Sequence, residues 1–515
     1  MFNILSEINS DTFAIGLVVV ILSVLMTVAL ALVAVFLIGK FKSIDNENTV
    51  MAGKLKTVYV VAIILFVGLA IRLLFTFVVN GYGQNFESVY NLGKHVLKDG
   101  NGFEGFTSNY IGVAPIMGYL YAFFAGIGTS FNLAIDDIAM QLFIKLPYIL
   151  ADIALFIAIF VIAKKYCNRY VALTISSLYY LSQLSFAVSS MWGSDFSVLA
   201  LTLVITFYFM LNKNALGMAL GSAVSCLVSA DAVVIVPVVG VYLVYAFVQS
   251  IIKIIKVKPS FDMLFGDSSL YNVFYVPLSV GIGVALMYLL SLPAYFPDGV
   301  ITFPSVMEQL LIKPYLFVSG ADGLYYFSQN ALSIYTIFGQ NYKILGTNFP
   351  TALFAGMFAL LVAVVSLVVF LMKKNRANLV LLTSFLLATL AIFLIGANEW
   401  SLLPSLALML VAFVVIKDKR ILKVFTILST FVVLNAVLVM FGGNQISSIF
   451  TEGYFNVTTS TGISVFNILL SVFTVLTYIY FAVVVLDISL TKNRKLLDVK
   501  PTASFGEVMK NWIRG

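Results

Sequence analysis

Apolar runs of about 20 residues recur along the chain, and they constrain its fold more than any other feature. A helix of that length crosses the hydrocarbon core of a bilayer, which is about 30 Å thick. No segment between the runs has the length and polarity of a soluble domain. Because a segment in lipid must satisfy its backbone hydrogen bonds internally, we predict an all-α polytopic membrane protein with one integral domain.

The composition excludes a soluble globule and gives no sign of a nucleic-acid partner. Only 10% of the 515 residues are charged, whereas soluble domains carry about 25%. Most of the lysines and arginines behind the net charge of +7 stand in short clusters between apolar runs, where they set membrane orientation. The two cysteines, Cys167 and Cys226, have neither CxxC nor metal spacing, so no disulfide framework or zinc site is predicted.

We predict a bundle of about 13 transmembrane helices. The first apolar run, 13–38, is too long for the core of a signal peptide and lacks a small-residue cleavage site, so we expect it to be retained. The other crossings are expected at about 57–79, 138–163, 170–189, 197–211, 215–230, 232–252, 273–292, 351–372, 378–396, 401–416, 421–441 and 464–488.

The basic connectors determine the predicted orientation, because loops rich in lysine and arginine stay in the cytoplasm. All of them can be cytoplasmic only if the apolar stretch 111–127 does not cross, so we expect a re-entrant or juxtamembrane segment there. The protein is then a multi-pass plasma-membrane protein with its N-terminus outside and its tail, 492–515, inside. The basic connectors are those at 40–56, 164–169, 213, 253–258, 373–376, 417–423 and 492–495.

With this orientation, the remaining polar connectors form one outer surface. The long loop 293–350 is rich in aromatic residues and is expected to contain amphipathic helices at the interface. The other outer connectors are 80–137, 191–196, 229–231, 398–400 and 443–463. We divide the chain into an N-terminal helix with a basic loop (1–56), a core (57–260), a C-terminal helical part (261–491) and the tail.

Charged residues within apolar runs need partners or water, because burying a charge in lipid is costly. Arg72 precedes the outer end of its helix by about two turns, so it could meet a phosphate; an internal ion pair or a snorkelling side chain is the alternative. Lys145 and Asp152 are seven residues apart and share a helix face. For Asp152 the structural role is favoured.

Three acidic residues of the outer connectors are candidates for chemistry. Glu87 could act as a general base or hold a divalent cation such as Mg or Mn, and a solvated loop glutamate is the alternative. Asp195 begins a crossing, where a carboxylate is also stabilising for ordinary reasons, and Asp231 resembles it in position. His95 is expected to be a surface residue.

The aromatic residues of the outer connectors are expected to form an interfacial belt, and some could stack on a sugar or a prenyl chain. They are Trp192, Tyr325, Tyr326 and Trp400.

The order of several motifs resembles that of the GT-C superfamily of polytopic glycosyltransferases, most closely the bacterial proteins similar to the second mannosyltransferase of GPI-anchor synthesis. The resemblance covers about residues 65–255, and it implies a GT-C-like bundle. Asn85 stands where the family has a loop aspartate, which leaves Glu87 as the nearest carboxylate. The matching motifs are Arg72, NFES, GVAP, KLPYILAD at 145–152, WGSDF and SADAVVIVP.

The resemblance implies transfer of a sugar from a polyprenyl-phosphate donor, at the outer face, to a glycan, lipid or protein acceptor. It makes Glu87 the base or metal ligand, Asp195 a second acid and Arg72 a phosphate contact. The supporting polar residues would be Asn85, Asp231 and Trp192. Two alternatives stay open: a catalytically silent relative that serves as a subunit or lipid-binding partner of other membrane proteins in glycopolymer assembly, and a transporter or flippase.

Overall fold

The fold is described from a computed structural model. The described residues are 57–78, 86–108, 114–135, 137–257, 268–296, 301–312, 326–341, 343, 349–373, 375–442 and 465–490. The predicted first helix, 13–38, therefore lies outside them, as do Asn85, Tyr325 and the tail.

The described chain is almost wholly helical, which confirms the all-α prediction. The first nine helices are α1 (Thr57–Val78), α2 (Phe86–Gly93), α3 (Gly102–Ser108), α4 (Pro115–Ser130), α5 (Ile138–Tyr166), α6 (Arg169–Tyr180), α7 (Gln183–Phe186), α8 (Phe196–Leu211) and α9 (Ala215–Val228). They are followed by α10 (Ile235–Val257), α11 (Ser268–Tyr295), α12 (Phe303–Met307), α13 (Ile334–Ile337), α14 (Phe349–Lys373), α15 (Arg376–Phe393), α16 (Leu403–Ile416), α17 (Lys419–Gly442) and α18 (Val465–Leu490).

Short irregular elements join some of these helices. Turns of π-helix cover Lys94–Lys98, Ala187–Trp192 and Glu308–Ile312, and a 3₁₀ turn covers Ala230–Val234. Two-residue strands, β1 (Ser328–Gln329) and β2 (Ala397–Asn398), pair in parallel.

The described residues contain seven helices that are long and apolar enough to cross a membrane, or eight if α6 and the bent segment after it form one span. They do not support thirteen crossings. Three predicted crossings correspond to apolar helices of only 10–17 residues, at Phe196–Leu211, Ala215–Val228 and Leu403–Ile416. A further predicted crossing, 170–189, is bent by 41°.

The overcount has a physical cause that α16 illustrates. This helix is buried in protein from Leu403 through Val415, so its apolar side chains pack against other helices. Hydropathy cannot distinguish a short helix in a protein core from a lipid-facing span of the same composition. By contrast, α14 presents Phe354 and Leu360 outward, with 73% and 64% of their surfaces exposed, as expected for a helix that faces lipid.

The stretch 111–127, which was predicted not to cross, contains α4. Pro115 occupies the first turn of this helix, where a missing backbone N–H has no cost. The helix is 16 residues long, and whether it enters the membrane stays a prediction.

Two compact units make up the chain. The first comprises 1–84, 145–200 and 317–515, and the second comprises 85–144 and 201–316. Within the first unit, α15 and α16 approach closely because Ser384 and Ser405 exchange hydrogen bonds, each hydroxyl donating to the other residue's carbonyl at 2.9 and 2.7 Å.

The two ends of α16 lie next to different connectors of the first unit. Near its start, Trp400 contacts Trp192. This contact joins two connectors that were predicted to lie on the outer surface. Near its other end, the thiol of Cys167 donates to the carbonyl of Val414 at 3.6 Å, which brings two basic connectors together. These two contacts therefore lie at opposite ends of α16.

Candidate functional site

Arg72 is fully buried in α1, and each nitrogen of its guanidinium group has an acceptor. Its Nε and Nη2 donate to Oδ2 of Asp152 at 3.2 and 3.1 Å. Nη1 donates to the carbonyl of Gly68 at 3.0 Å, and Nη2 to that of Tyr180 at 3.0 Å. The guanidinium carbon lies 3.9 Å from the centre of the Tyr180 ring. Arg72 is therefore bound within the protein on every side.

Asp152 completes this network. Its Oδ1 accepts a hydrogen bond from the hydroxyl of Tyr179 at 3.0 Å, and its side chain is fully buried beside Arg72. A buried ion pair of this kind is maintained because either charge alone would be strongly destabilising. The geometry supports the internal ion pair and the structural role of Asp152, and the complete burial of Arg72 does not favour a phosphate contact.

Trp192 ends a π-helical segment, and Asp195 lies in the turn that follows it. Gly193 caps that segment with φ +74°, a left-handed conformation that favours glycine. The amides of Gly193 and Ser194 both donate to the carbonyl of Val188, at 3.1 and 3.0 Å. The chain then enters α8 with Asp195 half-buried at its start.

A second turn, between β2 and α16, carries Glu399. Oδ1 of Asn398 accepts from the backbone N–H of Trp400 at 3.0 Å and from the hydroxyl of Ser401 at 3.2 Å. The backbone N–H of Asn398 in turn donates to the Ser401 hydroxyl at 2.9 Å. An asparagine that binds the backbone two residues later is a common way of fixing a turn. Glu399 lies at the centre of this turn.

The two turns meet through tryptophan. The indole N–H of Trp192 donates to the carboxylate of Glu399. The rings of Trp192 and Trp400 pack edge to face, with centroids 5.4 Å apart and planes at 80°. We call the residues Trp192, Asp195, Asn398, Glu399 and Trp400 the tryptophan–glutamate surface.

Burial dominates the electrostatics of Glu399, which lies outside the membrane-spanning segments. Loss of solvation raises the pKa of its carboxyl from 4.5 to about 7, against the opposing effects of its own backbone N–H and of the Trp192 indole. A carboxyl with a pKa near neutrality can both accept and donate a proton at physiological pH. The site therefore contains a group suited to acid–base chemistry.

Trp400 adds a second unusual feature to the surface. Only 1% of the residue is exposed, and its Nε1 has no hydrogen-bond partner among the described residues. A buried donor left without an acceptor costs about 1–3 kcal/mol.

Asparagine side chains attach the loop 326–341 to the same end of the first unit. Asn330 and Asn341 exchange two hydrogen bonds. The backbone N–H of Asn330 donates to Oδ1 of Asn341 at 2.8 Å, and Nδ2 of Asn341 donates to Oδ1 of Asn330 at 3.1 Å. From α17, Nδ2 of Asn435 donates to the carbonyl of Asn330 at 2.6 Å. Because β1 pairs with β2, this loop lies beside the turn that holds Glu399.

Three further residues considered in the sequence, Glu87, His95 and Asp231, lie in the second unit. Glu87 is exposed in the first turn of α2, where the helix dipole stabilises a carboxylate. Asp231 is exposed in the 3₁₀ turn after α9, and its amide donates to the Ser229 hydroxyl at 3.4 Å. His95 pairs with Asp99 at 3.0 Å and is partly exposed.

Among the described residues, no group of three or more His, Cys, Asp or Glu side chains could hold a metal ion. A divalent cation at Glu87 stays a prediction.

Glu399 is the functional candidate that sequence reasoning missed. The turn at 398–400 was placed on the outer surface, but only its tryptophan was singled out. An acidic residue between asparagine and tryptophan, in a short connector between apolar runs, was the available signal.

Comparison of the chain with protein-family models, curated proteins and solved structures returns no match.

Proposed function

We propose that the protein is a membrane glycosyltransferase that moves a sugar from a polyprenyl-phosphate donor to an acceptor hydroxyl at the outer face. The single observation that carries this proposal is Glu399, whose pKa is raised to about 7 beside two packed tryptophans. In this role Glu399 is the general base. The motif resemblance supplies the donor class.

The proposed step is a nucleophilic displacement at the anomeric carbon of the donor sugar. The acceptor oxygen attacks the anomeric carbon of the donor sugar and forms a new glycosidic bond. The bond between that carbon and the phosphate oxygen breaks, and polyprenyl phosphate leaves with the electron pair. The acceptor proton passes to the Glu399 carboxylate, and general-base assistance of this kind contributes about 10²- to 10⁴-fold in rate.

The remaining residues of the tryptophan–glutamate surface support Glu399 from within the protein. Trp192 and Trp400 are almost fully buried, with 2% and 1% of their surfaces exposed, so their rings hold the acidic turn in place rather than stack on a sugar. Asp195 is the second acid of the proposal. The role of Glu87 as base or metal ligand is a competing assignment that rests on the motif resemblance.

A second candidate function is favoured by the position of Arg72. Its guanidinium is fully buried and pairs with Asp152, so an internal partner occupies the group that was predicted to contact a phosphate. A protein of this fold without that contact could serve as a non-catalytic subunit or lipid-binding partner in assembly of a cell-envelope glycopolymer.

The deciding experiment measures sugar transfer from a polyprenyl-phosphate mannose donor by the purified full-length protein. We expect Glu399→Gln to reduce turnover by about 10²-fold or more. Glu87→Gln is assayed in parallel, because a comparable loss there would assign the base to Glu87. The control is Glu308→Gln, which changes an exposed glutamate. Transfer by Glu399→Gln at the wild-type rate removes Glu399 from this role, and no transfer by the wild type across donors favours the non-catalytic candidate.

We also propose the plasma membrane as the location, with the N-terminus outside and the C-terminus in the cytoplasm. The basic connectors at opposite ends of helices from the tryptophan–glutamate surface support this orientation. Single cysteines introduced at Asn398 and Lys419 test it with a membrane-impermeant thiol reagent on intact cells. Labelling at residue 398 alone is expected, and the reverse pattern would invert the topology.

A further inference from the structure

A cavity of about 700 Å³ lies within the second unit, between the start of α9, the end of α10 and the start of α11. Three lysines line it: Lys213 from the connector before α9, and Lys253 and Lys256 from the end of α10. No Asp or Glu is among the described residues that line the cavity. The described part of the cavity wall therefore presents three positive charges and no carboxylate.

The rest of the wall is apolar and aromatic. Met218 and Leu243 contribute aliphatic surface, and three tyrosines are also present: Tyr242, Tyr245 and Tyr275. A free phosphate ion would fill only a small part of this volume and would gain nothing from the aliphatic side chains. An amphiphile, with an anionic group beside the lysines and an apolar part along the wall, matches both kinds of surface.

The surroundings of the cavity indicate where such an amphiphile comes from. Both α10 and α11 belong to helices long and apolar enough to span a membrane. Large apolar side chains next to the lining residues point outward, including Ile255 at 67% and Leu278 at 58% exposure. The lysines thus lie at the end of a lipid-facing surface, at the level where lipid headgroups are found.

We propose that this cavity binds the phosphate headgroup of an anionic membrane lipid from the cytoplasmic leaflet. Basic pockets between transmembrane helices on the cytoplasmic side are suited to such headgroups, and each nearby lysine contributes about 1 kcal/mol, or roughly fivefold in binding. The site is separate from the tryptophan–glutamate surface, and the proposal does not depend on glycosyl transfer.

Lys213 allows a closely matched control. It adopts φ +60°, a left-handed conformation that a glycine would adopt at lower cost. Lys417 ends α16 in the same conformation, with φ +63°, and does not line the cavity. Changing either lysine to glycine removes one positive charge and relieves the same backbone conformation, but only the change at Lys213 alters the cavity.

The test measures the association of spin-labelled phosphatidylglycerol and phosphatidylcholine with the full-length protein in phosphatidylcholine bilayers. We expect wild type to prefer phosphatidylglycerol. The preference should fall about fivefold in Lys213→Gly and roughly 100-fold in Lys213→Gly/Lys253→Gln/Lys256→Gln, from about 1 kcal/mol for each lysine. Lys417→Gly should keep the wild-type preference.

A single variant and a displacement experiment provide further tests of the proposal. If the triple variant does not fold, Lys256→Gln alone decides, because Lys256 is exposed in the last turn of α10 and its loss should cost about fivefold. An unchanged preference in the variants overturns the proposal. Displacement of the labelled lipid by inorganic phosphate, at an ionic strength where chloride has no effect, also overturns it and assigns the cavity to a free anion.

Discussion

The indole N–H of Trp192 donates to the carboxylate of Glu399, so two connectors far apart in the sequence share one hydrogen bond. This bond favours the ionised carboxylate, whereas burial favours the protonated form and is the larger effect. The balance leaves the pKa of Glu399 at about 7.

Replacing Trp192 with phenylalanine should raise the pKa of Glu399 further, because the donor that stabilises the carboxylate is lost while an aromatic ring remains. The measurement is an infrared titration of the protonated carboxyl C=O stretch, assigned by its absence in Glu399→Gln. Trp400→Phe is the control, since its Nε1 has no partner among the described residues. An unchanged titration in Trp192→Phe would show that the hydrogen bond has no effect on Glu399.

The stability of the protein should depend on pH through Glu399. In the unfolded chain this carboxyl ionises near its ordinary pKa of 4.5, whereas in the folded protein it holds its proton until about pH 7. The folded state is therefore favoured by the bound proton at low pH, and this contribution is lost as the pH rises from about 4.5 to about 7. Thermal unfolding in detergent should show Glu399→Gln gaining stability relative to wild type across that window. A constant difference between the two proteins over the whole range would contradict the raised pKa.

Arg72→Met should destabilise the protein by about 3–5 kcal/mol, because it leaves Asp152 charged and buried without its partner. The double variant Arg72→Met/Asp152→Asn should recover much of the loss, since the asparagine oxygen can still accept from the Tyr179 hydroxyl. Unfolding of both variants by heat or denaturant gives the comparison. If Arg72→Met were as stable as wild type and lost only donor binding, the phosphate contact would be correct instead.

Gly68→Ala should also destabilise the first unit. A Cβ at residue 68 would overlap the ring of Tyr180, whose face and carbonyl both hold Arg72. Overpacking of this kind costs about 1–3 kcal/mol. The control is Gly356→Ala on α14, where a Cβ meets nothing within 4 Å and the better helix propensity of alanine should add about 0.5–1 kcal/mol. Equal unfolding midpoints for the two variants would argue against a close approach at Gly68.

The apolar runs correctly predicted an all-α membrane protein, although not the number of crossings. The positive-inside rule put the connectors at 213 and 253–258 on one side of the membrane, and the structure places lysines from both around one cavity. The hydropathy count overshot because α8, α9 and α16 are short apolar helices rather than full spans. Their side chains are apolar for the same reason as those of a span, namely that they meet no water.

The chemistry of the site was harder to foresee. Arg72 was correctly marked as needing a partner, but the sequence could not choose between Asp152 and a phosphate, because the choice depends on how α1 packs against α5. Glu399 was missed because its raised pKa comes from burial and from contact with Trp192, a residue distant in sequence. A local pattern contains no information on solvation of that kind.

The asparagine contacts of the loop 326–341 have a consequence for any ligand that reaches Glu399. Asn341 and Asn435 hold Asn330 from two directions, and β1 is paired with β2 next to the acidic turn. Binding to a backbone that is already ordered does not require the protein to lose further conformational entropy. Molecular recognition here should therefore be of the lock-and-key kind, with affinity limited by the freedom that the ligand itself gives up.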